Sequence, residues 1–155
     1  MIISQAAQPS GKGAGKALIL AMMHDAVVAG TWALQATAVG IFDVGAANGT
    51  FSNTATNAQN DGLQYKIFLN AGTWRVRYYG YTNNTCGKFH VLVDGSDVAT
   101  IDLYTAAGAI NTINGSSFIV GAAGYKTVQF VLADKNAASS DYYAYPSFFE
   151  FEETA

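Results

Sequence analysis

The sequence predicts an all-β chain, an antiparallel β-sandwich preceded by an N-terminal arm. Three observations carry this. Short segments from Leu63 to Phe151 alternate apolar and polar residues with the period-two pattern of strands that bury one face. Glycine- and asparagine-containing turns separate those segments. No sustained 3.6-residue apolar pattern occurs after residue 30.

Met1 to Gly15 reads as an arm, with Pro9 and the glycines of Gly11-Lys-Gly-Ala-Gly15 giving flexibility and little to pack. Gly13-Ala-Gly15-Lys16 imitates a phosphate-binding loop, but Ser10 stands where that motif needs glycine. Ala17 stands where it needs a magnesium-binding hydroxyl. Ala17 to Met23 is an apolar block too short to cross a bilayer, which takes ~20 residues. It reads as a buried strand or as an apolar surface for a partner, with Leu18, Ile19, Leu20, Met22 and Met23 as the docking residues. His24-Asp25 reads as a turn held by local hydrogen bonds. This divides the chain into a docking segment, residues 1–30, and a sandwich domain, residues 31–155.

Within the domain, Thr31–Leu34 and Gly40–Val44 are short strands, and Gly45–Gly62 is a long polar stretch broken only by Phe51. Loops of that length tend to be functional or to lie against a neighbour. Leu63, Tyr65, Ile67 and Leu69 share one face of the next strand. After Asn70-Ala71-Gly72, Trp74, Val76 and Tyr78 share another. A loop of Gly, Asn and Thr precedes a strand with Phe89, Val91 and Val93 on one side. Asp94-Gly95 reverses the chain into Val98–Leu103, and these four strands read as one antiparallel sheet. Thr105–Asn114 is a connection, and Ser117–Val120 a strand. Lys126–Leu132 points Val128, Phe130 and Leu132 inward. Asp134–Asp141 is a loop, and the last strand alternates Ser147, Phe149 and Phe151 with Phe148, Glu150 and Glu152. Eight or nine short strands with glycine at the turns make a two-sheet sandwich or jelly roll.

Composition narrows the function. Of 155 residues, 50% are hydrophobic and 12% charged, which argues against disorder. The net charge is −3 and the eight basic residues are scattered, so neither nucleic acid nor an acidic membrane surface is an expected partner. Cys86, the one cysteine, excludes an intrachain disulfide and reads as a small packed side chain. His90, four residues on, is its only nearby base. Asp94-Gly-Ser-Asp97 lacks the ligand pattern of a calcium loop, and the eleven carboxylates are dispersed. No catalytic, cofactor or metal residues are therefore expected, and the chain reads as non-enzymatic. Three Asn-x-Thr/Ser sequons, at Asn48, Asn83 and Asn114, are what an Asn-, Thr- and Ser-rich composition yields by chance.

The aromatic supply is the feature that points to binding. Tyr78, Tyr79, Tyr81, Tyr104, Tyr142, Tyr143 and Tyr145 gather at strand ends and loops. Tyr79, Tyr81, Tyr142 and Tyr143 are the candidates for stacking against sugar rings. The same rings also suit sheet caps or an oligomer interface.

The order of segments from about Ala58 to Phe151 resembles a jelly-roll domain found in tailed-phage virion proteins and in carbohydrate-binding modules. The matching pieces are Asn60–Leu69, Ala71–Val76, Gly87–Gly95, Thr100–Thr105, Ala123–Val128 and Lys135–Tyr142. The resemblance implies a capsid decoration (cement) protein, a head fibre or a tail-fibre tip on the virion surface. Its partners would be the major capsid protein or another virion protein, and it would act as a homotrimer. A start at Met1 without linker or second domain favours that free-standing protein in this reading, with residues 1–28 docking on the shell. The alternative is a module or fibre tip that binds host glycan.

Overall fold

The computed structural model describes residues 15–34 and 50–154. The expected strand Gly40–Val44, the arm before Gly15 and the start of the polar stretch, residues 45–49, lie outside them. The described residues form eleven strands: β1 (Lys16–Leu20), β2 (Ala26–Ala29), β3 (Ala33–Leu34), β4 (Phe51–Ser52), β5 (Gly62–Leu69) and β6 (Gly72–Thr82). The remainder are β7 (Gly87–Val93), β8 (Ser96–Asp102), β9 (Ala109–Val120), β10 (Gly124–Lys135) and β11 (Tyr145–Glu153).

They build an antiparallel jelly-roll sandwich. One sheet has the order β1-β11-β6-β9 and the other β2-β5-β10-β7-β8, with β3 and β4 as a small separate pair. The four central strands therefore do not form the single sheet expected from sequence. β5, β7 and β8 belong to the five-stranded sheet and β6 to the four-stranded one. The turn at Asn70-Ala71 carries the chain across the sandwich, because β5 and β6 bury their apolar faces into the one core from opposite sheets. Among β5 to β11, β7–β8 alone is a hairpin of consecutive strands. Its Asp94-Gly95 turn holds φ at 49° and 83°, the left-handed pair that a two-residue hairpin needs.

Three strands are longer than their patterns suggested. β10 runs from Gly124 to Lys135, past Lys126–Leu132 and into the segment read as the loop Asp134–Asp141. β6 continues through Gly80-Tyr81-Thr82, read from sequence as loop. β9 begins at Ala109, inside the segment read as a connection. β9 is an edge strand whose first half is largely open to solvent, so it carries little of the apolar alternation by which a strand is recognised.

The segment expected to dock supplies, in its described part, β1 and β2, hydrogen-bonded strands at one edge of each sheet. His24 and Asp25 do not make the local turn expected of them. His24 stacks on Phe51, and the Asp25 carboxylate accepts the backbone N–H of Lys66 at 2.5 Å.

Aromatic rings fill the core between the sheets. Phe130 of β10 and Phe149 of β11 stack with centroids 3.6 Å apart, joining the two sheets at their centre. Tyr65 and Phe89 meet both rings edge-on. The two buried phenols are hydrogen-bonded, Tyr65 Oη donating to Ala21 O at 2.7 Å and Tyr78 Oη to Tyr81 O at 2.8 Å. Burial holds both phenols well above the usual tyrosine range, so they stay donors.

Replacing Phe149 by Ala removes the ring that touches Phe130, Tyr65, Tyr78 and Phe89. A loss of about 3–5 kcal/mol is expected, measured as a lower urea midpoint; an unchanged midpoint would contradict this account of the core.

Candidate functional site

The outer face of the four-stranded sheet divides into two halves. On β6, Trp74, Val76 and Tyr78 point inward, so Arg75, Arg77, Tyr79 and Tyr81 point outward. In register, Arg75 lies opposite Glu152, Arg77 opposite Glu150, Tyr79 opposite Phe148 and Tyr81 opposite Tyr145 on β11. On the other side of β6, Asn114, Thr112 and Ile110 of β9 lie opposite Arg77, Tyr79 and Tyr81. One half of the face is thus an ionic lattice, and the other an aromatic tract.

The tract depends on a β-bulge. Tyr145 and Phe148 are three residues apart, which in a regular strand puts them on opposite faces. A register shift between Pro146 and Phe148 restores both to the outside. Tyr79 then stacks on Phe148 at 4.2 Å, Tyr81 meets Tyr145 edge-on at 5.6 Å, and Tyr143 lies parallel to Tyr145 at 5.9 Å. Gly108 makes room for Tyr81, since a Cβ there would run into the phenol ring. Burial, reinforced by the neighbouring Cys86, Tyr143, Tyr81 and Asp141, pushes the Tyr145 phenol up to about 12. It remains a neutral hydrogen-bond donor at physiological pH.

The ionic half holds the register beside the tract. Arg75 Nη2 lies 2.7 Å from Glu152, Arg77 Nη1 2.8 Å from Glu150 and Arg77 Nη2 2.6 Å from Glu152, while Lys16 of β1 lies 3.3 Å from Glu152. The hydrogen bond from Arg75 is the main cause that holds the Glu152 carboxyl below its ordinary range, with Lys16 and Arg77 adding to it against desolvation. Desolvation of Arg77 is outweighed by a hydrogen bond with Tyr79 and by Glu152 and Glu150, which keep its guanidinium charged.

A buried polar network backs the loop that carries Tyr142 and Tyr143. Asn53 donates to Asp61 Oδ2 at 2.8 Å and to Tyr142 O at 3.0 Å, and accepts from Ala144 N at 2.9 Å. Thr56 Oγ1 and Ala58 N also donate to Asp61 Oδ2, at 2.7 and 3.0 Å. The backbone of Tyr143 is strapped to the Thr85–Gly87 segment from the other side. Replacing Asn53 by Ala strands the Ala144 N–H and part of the Asp61 carboxylate in a buried site. That costs about 1–3 kcal/mol, visible as a lower melting temperature; an unaltered melt would show the network to be dispensable.

Of the four tyrosines singled out by sequence, the fold brings Tyr79, Tyr81 and Tyr143 together. Tyr142 is separate, its backbone carbonyl tied to Asn53 and its ring under Lys135 Nζ at 5.0 Å. Tyr145 and Phe148 complete the tract and were not among the candidates. Of the residues expected to dock, Leu18, Leu20, Met22 and Met23 are exposed, Leu18 to 55%, whereas Ile19 is 6% exposed and packs in the core. Alternation along β1 explains that difference. It also turns Leu20, opposite Phe148 in register, toward the edge of the aromatic tract.

The cysteine and histidine do not assemble into a catalytic pair. Cys86 is buried against Asn83 Oδ1 at 3.2 Å, and His90 Nδ1 sits 2.6 Å from Asp97 Oδ2. Burial pushes the thiol up to about 12, partly opposed by a backbone hydrogen bond from Asn83. Cys86 should resist iodoacetamide at pH 8 in the folded protein and react once urea is added. Rapid alkylation of the folded chain would overturn this placement.

Among the described residues, no group of three or more His, Cys, Asp or Glu side chains is placed to hold a metal ion.

No family model matches the sequence, and no curated protein matches it. Solved structures do match the fold. The CBM36-1 domain of a multidomain xylanase from the hindgut metagenome of Trinervitermes trinervoides aligns with a TM-score of 0.64 and 13% identity, over 91% of this chain and 99% of that one. A CBM36 carbohydrate-binding module in complex with calcium and xylotriose aligns with a TM-score of 0.62 and 15% identity, over 87% and 98%. CBM35 from Cellvibrio japonicus Abf62 gives 0.56 and 14%, over 88% and 92%. These structures share their fold with this chain along nearly their whole length. They support the carbohydrate-binding-module side of the resemblance seen in the sequence and give none to its virion side. The chain has the jelly-roll β-sandwich fold of carbohydrate-binding modules.

Proposed function

We propose that this chain is a non-catalytic carbohydrate-binding module whose ligand lies along the aromatic tract of the four-stranded sheet. The observation that carries the reading is the continuous run Phe148, Tyr79, Tyr81, Tyr145 and Tyr143 on one outer face. Partly exposed rings at this spacing offer apolar surface to the C–H faces of sugar rings, and their phenols donate to hydroxyls. Thr112 on β9, opposite Tyr79, and Asn114, already bonded to Arg77, supply further polar groups along the rim. Adjacent strands lie ~4.8 Å apart and alternate residues ~6.6 Å apart, so the rings cover a surface long enough for more than one sugar unit. The ligand class is an extended oligo- or polysaccharide.

The same fold carries carbohydrate-binding modules, one of them solved with xylotriose and calcium. The contacts proposed here are all made by side chains of the tract. Asp61 is the most enclosed carboxylate near it, and its Oδ2 is already taken by Asn53, Thr56 and Ala58. No contact is routed through a metal.

A glycan array followed by calorimetric titration tests the reading. At least one plant or microbial polysaccharide fragment, xylotriose among the probes, should bind, and Tyr81→Ala should weaken it about tenfold, ~1.4 kcal/mol. An array without hits, or a hit indifferent to both Tyr81→Ala and Tyr79→Ala, would refute the assignment.

A further inference from the structure

A second aromatic platform stands on the opposite side of the sandwich. Phe68 of β5 and Tyr125 of β10 face each other in register on the outer face of the five-stranded sheet. Phe68 is 40% and Tyr125 59% exposed, and the rings meet edge-on with centroids 5.5 Å apart. Lys66, two residues before Phe68, holds its ammonium 5.7 Å from the Tyr125 centroid. Lys16, Arg75, Arg77, Lys88 and Lys126 each pair with a carboxylate, whereas Lys66 has none within ion-pair distance among the described residues.

Folding does not account for these rings. A cross-strand aromatic pair contributes only ~0.2–1 kcal/mol, and most of the Tyr125 surface stays in water. The surroundings also disfavour a protein partner. The neighbouring outward positions on these strands are Gln64, Lys66, Thr127 and Gln129, with Gln64 and Gln129 hydrogen-bonded at 2.9 Å. Two rings bounded by amides, a hydroxyl and an ammonium fall well short of the contiguous apolar patch, several hundred Å², that marks a protein interface. They fit one or two sugar rings.

We propose that Phe68, Tyr125 and Lys66 form a second saccharide-binding site. The open face of Tyr125 stacks on the sugar, Phe68 walls one side, and Lys66 donates to the oxygen substituents of the ring. The tract and this platform lie on opposite sheets, so one molecule holds two glycan chains at once. The inference rests on the carbohydrate-binding reading above and adds bivalence to it.

Nitrogen–proton NMR titration separates the two claims. The probes are xylotriose and a panel of neutral and uronic-acid oligosaccharides, added to the wild type, Tyr125→Ala, Lys66→Gln and Tyr81→Ala. The expected result is two separate groups of shifted amides, one around residues 66–68 and 125–127 and one around 79–81 and 143–148. Tyr125→Ala should abolish the first group alone and Tyr81→Ala the second alone. Lys66→Gln should weaken the first severalfold without disturbing the rest of the spectrum. In a companion measurement, the wild type should cross-link a soluble polysaccharide that binds both sites, read as light scattering, whereas Tyr125→Ala and Tyr81→Ala should not. Shifts confined to the tract overturn the second site and leave the proposed function standing. Shifts confined to the platform refute the tract instead, and shifts at neither refute both.

Discussion

The structure depends on the contact between Phe130 and Phe149 at the centre of the sandwich. Each ring comes from a different sheet, and Tyr65, Tyr78, Phe89 and Phe151 close around the pair. Once those side chains are committed inward, the period-two geometry of strands decides what points outward wherever no bulge intervenes. On β11 it presents Phe148, Glu150 and Glu152, on β6 Arg75, Arg77, Tyr79 and Tyr81, and on β5 and β10 Phe68 and Tyr125. The proposed binding surfaces are the reverse side of the core.

A second constraint is the way register is secured next to the aromatic tract. The Arg75, Arg77, Glu150 and Glu152 lattice ties β6 to β11, and Lys16 ties β1 to the same carboxylates. Surface ion pairs contribute little stability individually, but a network across three strands penalises a slipped register by leaving its charges without their partners. With the register held there, the bulge at Pro146 sets Tyr145 and Phe148 on the outside. At the loop end, Asn53 and Asp61 do with hydrogen bonds what the lattice does with charges.

Sequence made the faces of individual strands legible and their partners illegible. The sequence puts Leu63 with Tyr65, Val76 with Tyr78, Phe89 with Val91 and Val128 with Phe130 on shared faces, and each of these faces is buried, because alternation reports burial directly. Alternation is silent on which sheet a strand joins, so β5 to β8 were grouped into one sheet although β6 belongs to the other. β9 was shortened because an exposed edge strand carries little apolar signal. Within the candidate site, Tyr79 and Tyr81 were readable as outward residues of one strand. Tyr145 and Phe148 escaped notice as partners because a bulge breaks the counting rule, and Tyr142 was included because a loop has no period to place its side chain.

The crystal structure of the chain with a bound oligosaccharide tests the central claim most directly. The account predicts sugar rings lying over Tyr81, Tyr145 and the Tyr79–Phe148 pair on the four-stranded sheet. Sugar bound only at the loops or at a sheet edge, with the tract left bare, would contradict it.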